Sequence, residues 1–335
     1  MLIYMRNEAK SDIWMSYNVF EDKGGARVQK FRLNQRKWDS VKLLLMILPF
    51  LVLVFLFSYL PLAGWRYAFY DYRPGFPLEK CKYVGFKWFL RLVETPAQTS
   101  EIIRVMKNTL GMSALGMLTS VCPMFFAISL SQVRSTRYRK TLQVLTTLPN
   151  FISWVLVFSV AFSLFSVDTG FINRILISLG VIDKGINFLA DGNHMWIKMT
   201  LWNLWKTIGW NAILYLATLA GIDQELYEAA QVDGANRFQQ TLHITLPGLM
   251  PTFFVLLLLS IGNFINTGME SYFVFQNAMN KDTIEVLDLY VYNIGMGNRN
   301  FSLATAIGML KSVVSIILLF AANTASRLIR GESLM

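Results

Sequence analysis

Groups able to do chemistry are sparse in this sequence, and they fall into two kinds. The first is a polar string between two long apolar runs in the second half of the chain. It reads Glu228-Ala229-Ala230, then Asp233-Gly234-Ala235, then Ile244-Thr245-Leu246-Pro247. Asp223 is a residue type suited to a helix N-cap, and Glu225 and Glu228 follow in the first turns, where carboxylates complement the dipole. Leu226, Ala229, Ala230 and Asp233 recur at helical spacing. The paired alanines leave a flat face that another protein surface can approach closely. Gly234 supplies the left-handed conformation that ends a helix. The pattern predicts a short helix up to Gly234, a second short helix from Ala235 to about Thr245, and Pro247 in the first turn of the next apolar run. The picture is two short helices with a bend, held between two apolar runs.

The second kind is polar or aromatic side chains inside apolar runs. Lys198, Trp202, Asn203, Trp205, Lys206 and Asn211 lie in one run, Asn263 in the next, and Lys311 and Ser315 in the last. Polar groups at such positions are costly and face a bundle interior or a cavity. Tryptophan faces stack on sugar rings, and lysine and asparagine bond hydroxyl or carboxylate oxygens, so these residues are candidates for a solute path. Plainer readings stand beside that one. Lys198 can snorkel outward, tryptophans anchor membrane interfaces, and Lys206 and Lys311 can pair with a partner chain. Lys311 falls in mid-run with no carboxylate evident at its depth, Glu270 lying beyond the end of the preceding run. An unpaired ammonium there costs about 2.5–3.5 kcal/mol, so the expectation is that Lys311 faces a cavity or a second subunit.

Several function classes are excluded. No catalytic constellation stands out. His194 and His243 have too few co-ligands for a metal centre, and Cys81 and Cys122 lie in a polar loop and an apolar run respectively, which argues against a disulfide. No Gly-Lys dipeptide occurs, so the Walker A phosphate loop is absent. If ATP drives this protein, another polypeptide holds the nucleotide. The formal net charge of +10 would suggest nucleic acid in a soluble chain; here the positive-inside rule accounts for part of it, and no nucleic-acid partner is expected.

The elements that must position these groups are membrane spans. Of 335 residues 54% are hydrophobic and only 16% charged, and 25 Phe, 13 Tyr and 9 Trp suit membrane cores and interfacial belts. Six spans are predicted, at about 41–63, 109–130, 142–165, 195–220, 249–266 and 301–322, in an all-α polytopic fold. Residues 1–40 form an N-terminal tail, with Trp14 and Phe20 on a surface helix or in a disordered segment. Residues 41–328 form the transmembrane domain, and 329–335 a C-terminal tail. No cleavable leader is expected, since the first apolar run follows a basic tail and no small-residue cleavage site succeeds it. Lys30, Arg32, Arg36 and Lys37 precede the first span, the turn after the second holds Arg134, Arg137, Arg139 and Lys140 without an acid, and Arg327 and Arg330 follow the last. Both termini and the 222–247 loop are therefore expected to be cytoplasmic. The loop at 64–103 is expected to lie outside although it is more basic than the rule would choose.

The spaced string Glu228-Ala229-Ala230, Gly234 and Ile244-Thr245-Leu246-Pro247 resembles the coupling loop of the membrane subunits of bacterial binding-protein-dependent ABC importers. Gln224 departs from it, a proline being common there. Asn108-Thr109-Leu110, Leu148-Pro149-Asn150-Phe151-Ile152-Ser153-Trp154, Gly170-Phe171-Ile172-Asn173, Asn187-Phe188-Leu189, Asp71-Tyr72-Arg73-Pro74-Gly75-Phe76 and Tyr83-Val84-Gly85-Phe86-Lys87-Trp88 are similar to its polysaccharide branch, so the resemblance runs from about residue 61 to 323. It implies a type I importer permease fold in the bacterial cytoplasmic (inner) membrane, a second permease subunit in a heterodimer, two ATPase subunits, and an extracytoplasmic solute-binding protein that delivers an oligosaccharide. It implies no cofactor in this chain, with ATP and Mg bound by the ATPase subunits. Glu228, Ala229, Ala230, Asp233, Gly234, Ala235, Ile244, Leu246 and Pro247 would be the coupling residues. The alternative is a secondary transporter or channel with no ATPase partner. Such proteins often relay protons or sodium through intramembrane carboxylates, and none of the six spans has an evident central Asp or Glu.

Overall fold

The computed structural model describes residues 25–330. Among them the chain is helical, and the only extended pairing is a single antiparallel bridge between Tyr70 and Tyr83. Trp14 and Phe20 lie outside the described residues. Contacts divide the chain after Gly64. The first unit, described from Gly25, is the helix α1 (Gly25–Val54), continued by a π turn, Phe55–Tyr59. Its apolar side chains are exposed over residues 41–62, as expected of a span whose neighbours are lipid or other helices.

In the second unit α2 (Pro96–Leu118) passes through a tight turn at Thr119–Val121 into α3 (Cys122–Ser131). The helix begins thirteen residues before the expected start of the second span. Thr95 caps it, accepting the Gln98 N–H at 3.3 Å, and Pro96 occupies the first turn, a start signal that the hydropathy pattern does not carry.

The third span is not the continuous helix that its apolar run suggests. α4 (Thr136–Thr147) ends at a 3-10 turn, Leu148–Phe151, and α5 (Trp154–Phe165) starts afresh from Ser153, which caps it by accepting the Leu156 N–H. The two parts are bent by 107°. Pro149, which has no N–H to give to a helix, and Ser153, which competes for the backbone, explain the break.

α6 (Met195–Ala220) is the axis of this unit and packs against α2, α3, α4 and the later helix α9 (Leu246–Gly262), which in turn packs on α10 (Phe301–Arg330). Among the described residues four helices are apolar and long enough to cross a membrane, or five if the bent pair is one span. α6, with 26 residues, has the length of a span but is less apolar because of its lysines and asparagines. It reaches close to α4: a Cβ at Gly209 would lie 2.3 Å from the Thr146 carbonyl oxygen, so no side chain fits there.

The segment before α10 folds back against α2. Asn108 Nδ2 donates to the carbonyls of Asp282 at 2.9 Å and Glu285 at 3.1 Å, and its oxygen accepts the Trp196 indole N–H at 3.2 Å. Thr109 Oγ1 accepts the Leu287 N–H at 2.8 Å. Glu285 is 1% exposed and would be ruinous unpaired; Arg104 Nη2 meets it at 2.8 Å and Asn293 Nδ2 donates to it at 2.9 Å. Nearby, burial together with the Glu101 carboxylate pushes the Tyr290 hydroxyl up to about 12, so it stays protonated.

Thr109→Val keeps the shape of the side chain and removes the acceptor for a buried N–H. It is expected to cost about 1–3 kcal/mol, read as a lower melting temperature in detergent and faster hydrogen exchange at the Leu287 amide. Unchanged exchange would mean that this contact does not hold the segment.

Candidate functional site

Asp223 starts α7 (Gln224–Val232) by accepting the Glu225 N–H at 3.0 Å, as its residue type suggested, and Gln224 in place of proline does not prevent the helix. α7 ends in a Schellman motif: the Ala235 N–H bonds the Ala230 carbonyl at 2.8 Å and the Gly234 N–H bonds the Gln231 carbonyl at 3.1 Å. Gly234 has φ +81°, while nothing lies within 4 Å of where its Cβ would be. The requirement at Gly234 is thus conformational, with no steric part.

The second short helix differs from its expected form. α8 (Arg237–Gln240) begins two residues later than Ala235, at a capping box in which Gln239 N–H donates to Asn236 Oδ1 at 2.9 Å and Asn236 N–H to Gln239 Oε1 at 2.8 Å. It then runs through a π turn, Thr241–Thr245, directly into α9, so that Arg237–Gly262 is one helix. Pro247 cannot donate to the carbonyl four residues back, and the widened turn ahead of it absorbs the mismatch. The loop therefore holds one free-standing helix, α7, and a second that is the first turns of the next span.

α7 is clamped to that span. Tyr227 Oη and the buried Thr245 Oγ1 are 3.0 Å apart, Gln240 Nε2 donates to the Ala235 carbonyl at 3.0 Å, and a Cβ at Gly248 would come within 2.7 Å of Ile222. Glu228, Ala229, Asp233 and Gly234 are exposed and Ala230 and Ala235 half-buried, so the flat alanine face is available. Ile244 and Leu246 are half-buried in the continuing helix, Leu246 against a core of Met124, Ala127, Ile128, Ala212, Tyr215 and Leu249, and Pro247 is exposed. Those three position the loop. Two residues that sequence reasoning passed over stand out: Val232 is 88% exposed and Phe238 75%. An apolar residue beside the C-cap and another inside a capping box are visible in the sequence, but their exposure is seen only in the structure.

The candidate solute-path residues do not come together at one site. Asn211 and Asn263 line one cavity of about 290 Å³ between α6 and α9, with Ser120, Tyr215 and Ser260. The Ser120 hydroxyl is buried there without a hydrogen-bond partner. Trp202 and Trp205 are edge-to-face at 5.8 Å beside Phe165, Phe188 and Phe275, around a separate apolar cavity of about 310 Å³. Asn203 is exposed. Ser315 Oγ accepts from Asn266 Nδ2 at 3.5 Å. Lys198 donates to the Asp191 carbonyl at 3.0 Å.

Two cations have partners that the linear sequence did not disclose. Lys206, 7% exposed, donates to the carbonyls of Pro149 at 3.1 Å and Asn150 at 2.8 Å and sits over the Trp154 ring. It caps the broken turn between α4 and α5. Lys311 is not unpaired, contrary to expectation: it forms an ion pair with Asp288. Asp288 belongs to the short helix Leu287–Tyr292, and the folding back of that segment brings it to α10. Its other oxygen accepts the Gly268 N–H at 2.8 Å. Among the described residues no group of His, Cys, Asp and Glu could hold a metal, and the two cysteines are free.

Residues 120–331 match the family model described as "Binding-protein-dependent transport system inner membrane component". Protein LplB of Bacillus subtilis (strain 168) is 39% identical over 303 residues, covering 90% of this chain and 92% of that protein. The polygalacturonan/rhamnogalacturonan transport system permease protein YteP of the same organism is 37% identical over 306 residues, covering 89% and 93%. Among solved structures, a bacterial ABC transporter involved in the import of the acidic polysaccharide alginate is similar with a TM-score of 0.78 and 33% identity, covering 88% of this chain and 99% of that one. A second structure, of a bacterial alginate ABC transporter in complex with an alginate pentasaccharide-bound periplasmic protein, has the same TM-score at 32% identity.

Lys311→Met should lower the melting temperature by leaving Asp288 without its cation, and Asp288→Asn/Lys311→Met should recover part of that loss. A double-mutant cycle is expected to give a coupling on the order of 0.5–3 kcal/mol. Strict additivity of the two single changes would show the pair to be energetically idle.

Proposed function

The chain belongs to the family of binding-protein-dependent transport system inner membrane components, and from that premise we propose how it works: it is a carbohydrate ABC importer permease that couples to separate ATPase subunits through residues 222–247. The observation that carries this reading is the geometry of α7. The helix is capped at both ends, clamped to α9 through Tyr227 and Thr245, and open on the side of Glu228, Ala229 and Val232. A helix held this rigidly passes a push on its exposed face to the span behind it. Glu228 would make a charge-assisted contact with a basic group of the ATPase, the alanines would allow close approach, and Val232 and Phe238 would supply apolar contact. ATP and Mg would be bound by that partner.

An oligosaccharide, delivered by an extracytoplasmic solute-binding protein, would pass between this chain and a second permease subunit. An acidic sugar is supported by the likeness to the alginate transporters. Asn211, Asn263 and Ser120 are the polar groups best placed to meet hydroxyls, since Lys206 and Lys311 are already engaged. The basic residues at 134–140 and after the last span support a cytoplasmic position for both termini and the coupling loop.

Gly234→Pro and Glu228→Lys should leave the protein in the membrane and abolish most uptake, with loss of ATPase subunits on co-purification. Proline cannot adopt φ +81°, and a reversed charge repels a basic partner. Normal uptake in both variants would remove the loop from the coupling role.

Impermeant thiol reagents added from outside should label Cys81, and a cysteine placed at Arg137 should be protected. The opposite pattern would invert the topology.

A further inference from the structure

A cavity of about 650 Å³ opens at the end of the helices that carries the coupling loop. Its walls come from the end of α3 and the turn after it, from α4, from the last turns of α6, and from α7, α8 and the π turn that follows. Arg134, Arg139 and Arg237 line it, and its other polar lining consists of neutral amides and hydroxyls, with no carboxylate. Among the described residues the side chains of these three arginines make neither an ion pair nor a hydrogen bond. Three guanidinium groups gathered around one space without a counter-charge raise its potential and favour an anion, and a planar guanidinium fork is suited to phosphate oxygens.

The remainder of the lining narrows the choice of anion. Leu216, Leu219 and Ala220 of α6 supply an apolar wall in the last turn of that helix, where it leaves the bundle. A ligand with a phosphate head and an apolar body satisfies both parts. Basic pockets between transmembrane helices on the cytoplasmic side hold the headgroups of anionic lipids. We propose that this cavity binds the phosphate headgroup of an anionic phospholipid.

The site would brace the coupling helix. Gln224, Tyr227 and Gln231, three or four residues apart on one face of α7, line the cavity, whereas Leu226, Ala229 and Val232 do not and are exposed. A headgroup seated between Arg139 of α4 and Arg237 of α8 would tie α4 to the loop from one side, leaving the other side of α7 free. The proposal rests on the chain being a membrane protein; it does not depend on the sugar or on the ATPase.

The test is lipid retention by the full-length chain, purified in detergent with an equimolar mixture of phosphatidylglycerol and phosphatidylcholine and read by native mass spectrometry. Wild type should retain phosphatidylglycerol in preference. Arg134→Gln/Arg139→Gln/Arg237→Gln should lose that preference, each arginine contributing roughly fivefold. Arg137→Gln/Lys140→Gln, at the start of α4 but outside the cavity, should keep it, and millimolar inorganic phosphate should not displace the lipid. Wild-type retention by the triple variant overturns the proposal, as does an equal loss in the Arg137/Lys140 pair, which would reduce the effect to general surface charge. Displacement by inorganic phosphate overturns it in favour of a free-anion site. Should the triple variant fail to fold by circular dichroism, Arg237→Gln at its exposed position reads the same loss at about fivefold, and unchanged retention there overturns the proposal.

Discussion

A buried carboxylate and two buried side chains on α2 hold the second unit in its arrangement. Glu285 is tolerable in the interior only because Arg104 and Asn293 meet it, and the backbone around it is held by Asn108 and Thr109. Breaking any one of these bonds strands a buried polar group, so the set behaves as a unit. It draws the segment 281–287 down onto α2 and brings in α6 through Trp196. The same folding back delivers Asp288 to Lys311, which makes a mid-helix lysine affordable in α10.

At the middle of the bundle a different device does comparable work. α4 and α5 are two helices at a sharp angle, and the carbonyls freed at Pro149 and Asn150 need donors in a place where water is scarce. Lys206 provides them from α6. Gly209, one turn further along, lets α6 lie against the end of α4 with no intervening side chain. What reads in sequence as a polar residue available to a solute is a structural donor, because the break it serves lies 57 positions away in the chain.

The coupling loop obeys local rules more closely. A cap residue, a left-handed glycine, a capping box and a proline each act over a few residues, and each is found doing what its type permits. Rigidity is added by tertiary contacts, Tyr227 to Thr245 and Ile222 to Gly248. The loop thus offers two faces with different chemistry. One is exposed and apolar-acidic, suited to a protein surface. The other is lined with arginine and glutamine and turned towards the end of α6.

The helical class, the approximate place of the apolar runs and the capped helix ending at Gly234 were legible in the linear sequence, whereas the basic turn proved shorter than expected, Arg137, Arg139 and Lys140 lying in the first turns of α4. They depend on hydropathy, charge and backbone conformation over fewer than about twenty residues. The early start of α2 at Thr95-Pro96 and the break at Pro149 were also written locally, but a continuous apolar run masks such signals. The partners of Lys206 and Lys311, the exposure of Val232 and Phe238, and the cavity shared by Asn211 and Asn263 were decided by the tertiary structure alone. Each is a relation between segments tens of residues apart, and whether a polar side chain is spent on a carbonyl, paired with a carboxylate or left facing a cavity is settled only when those segments pack.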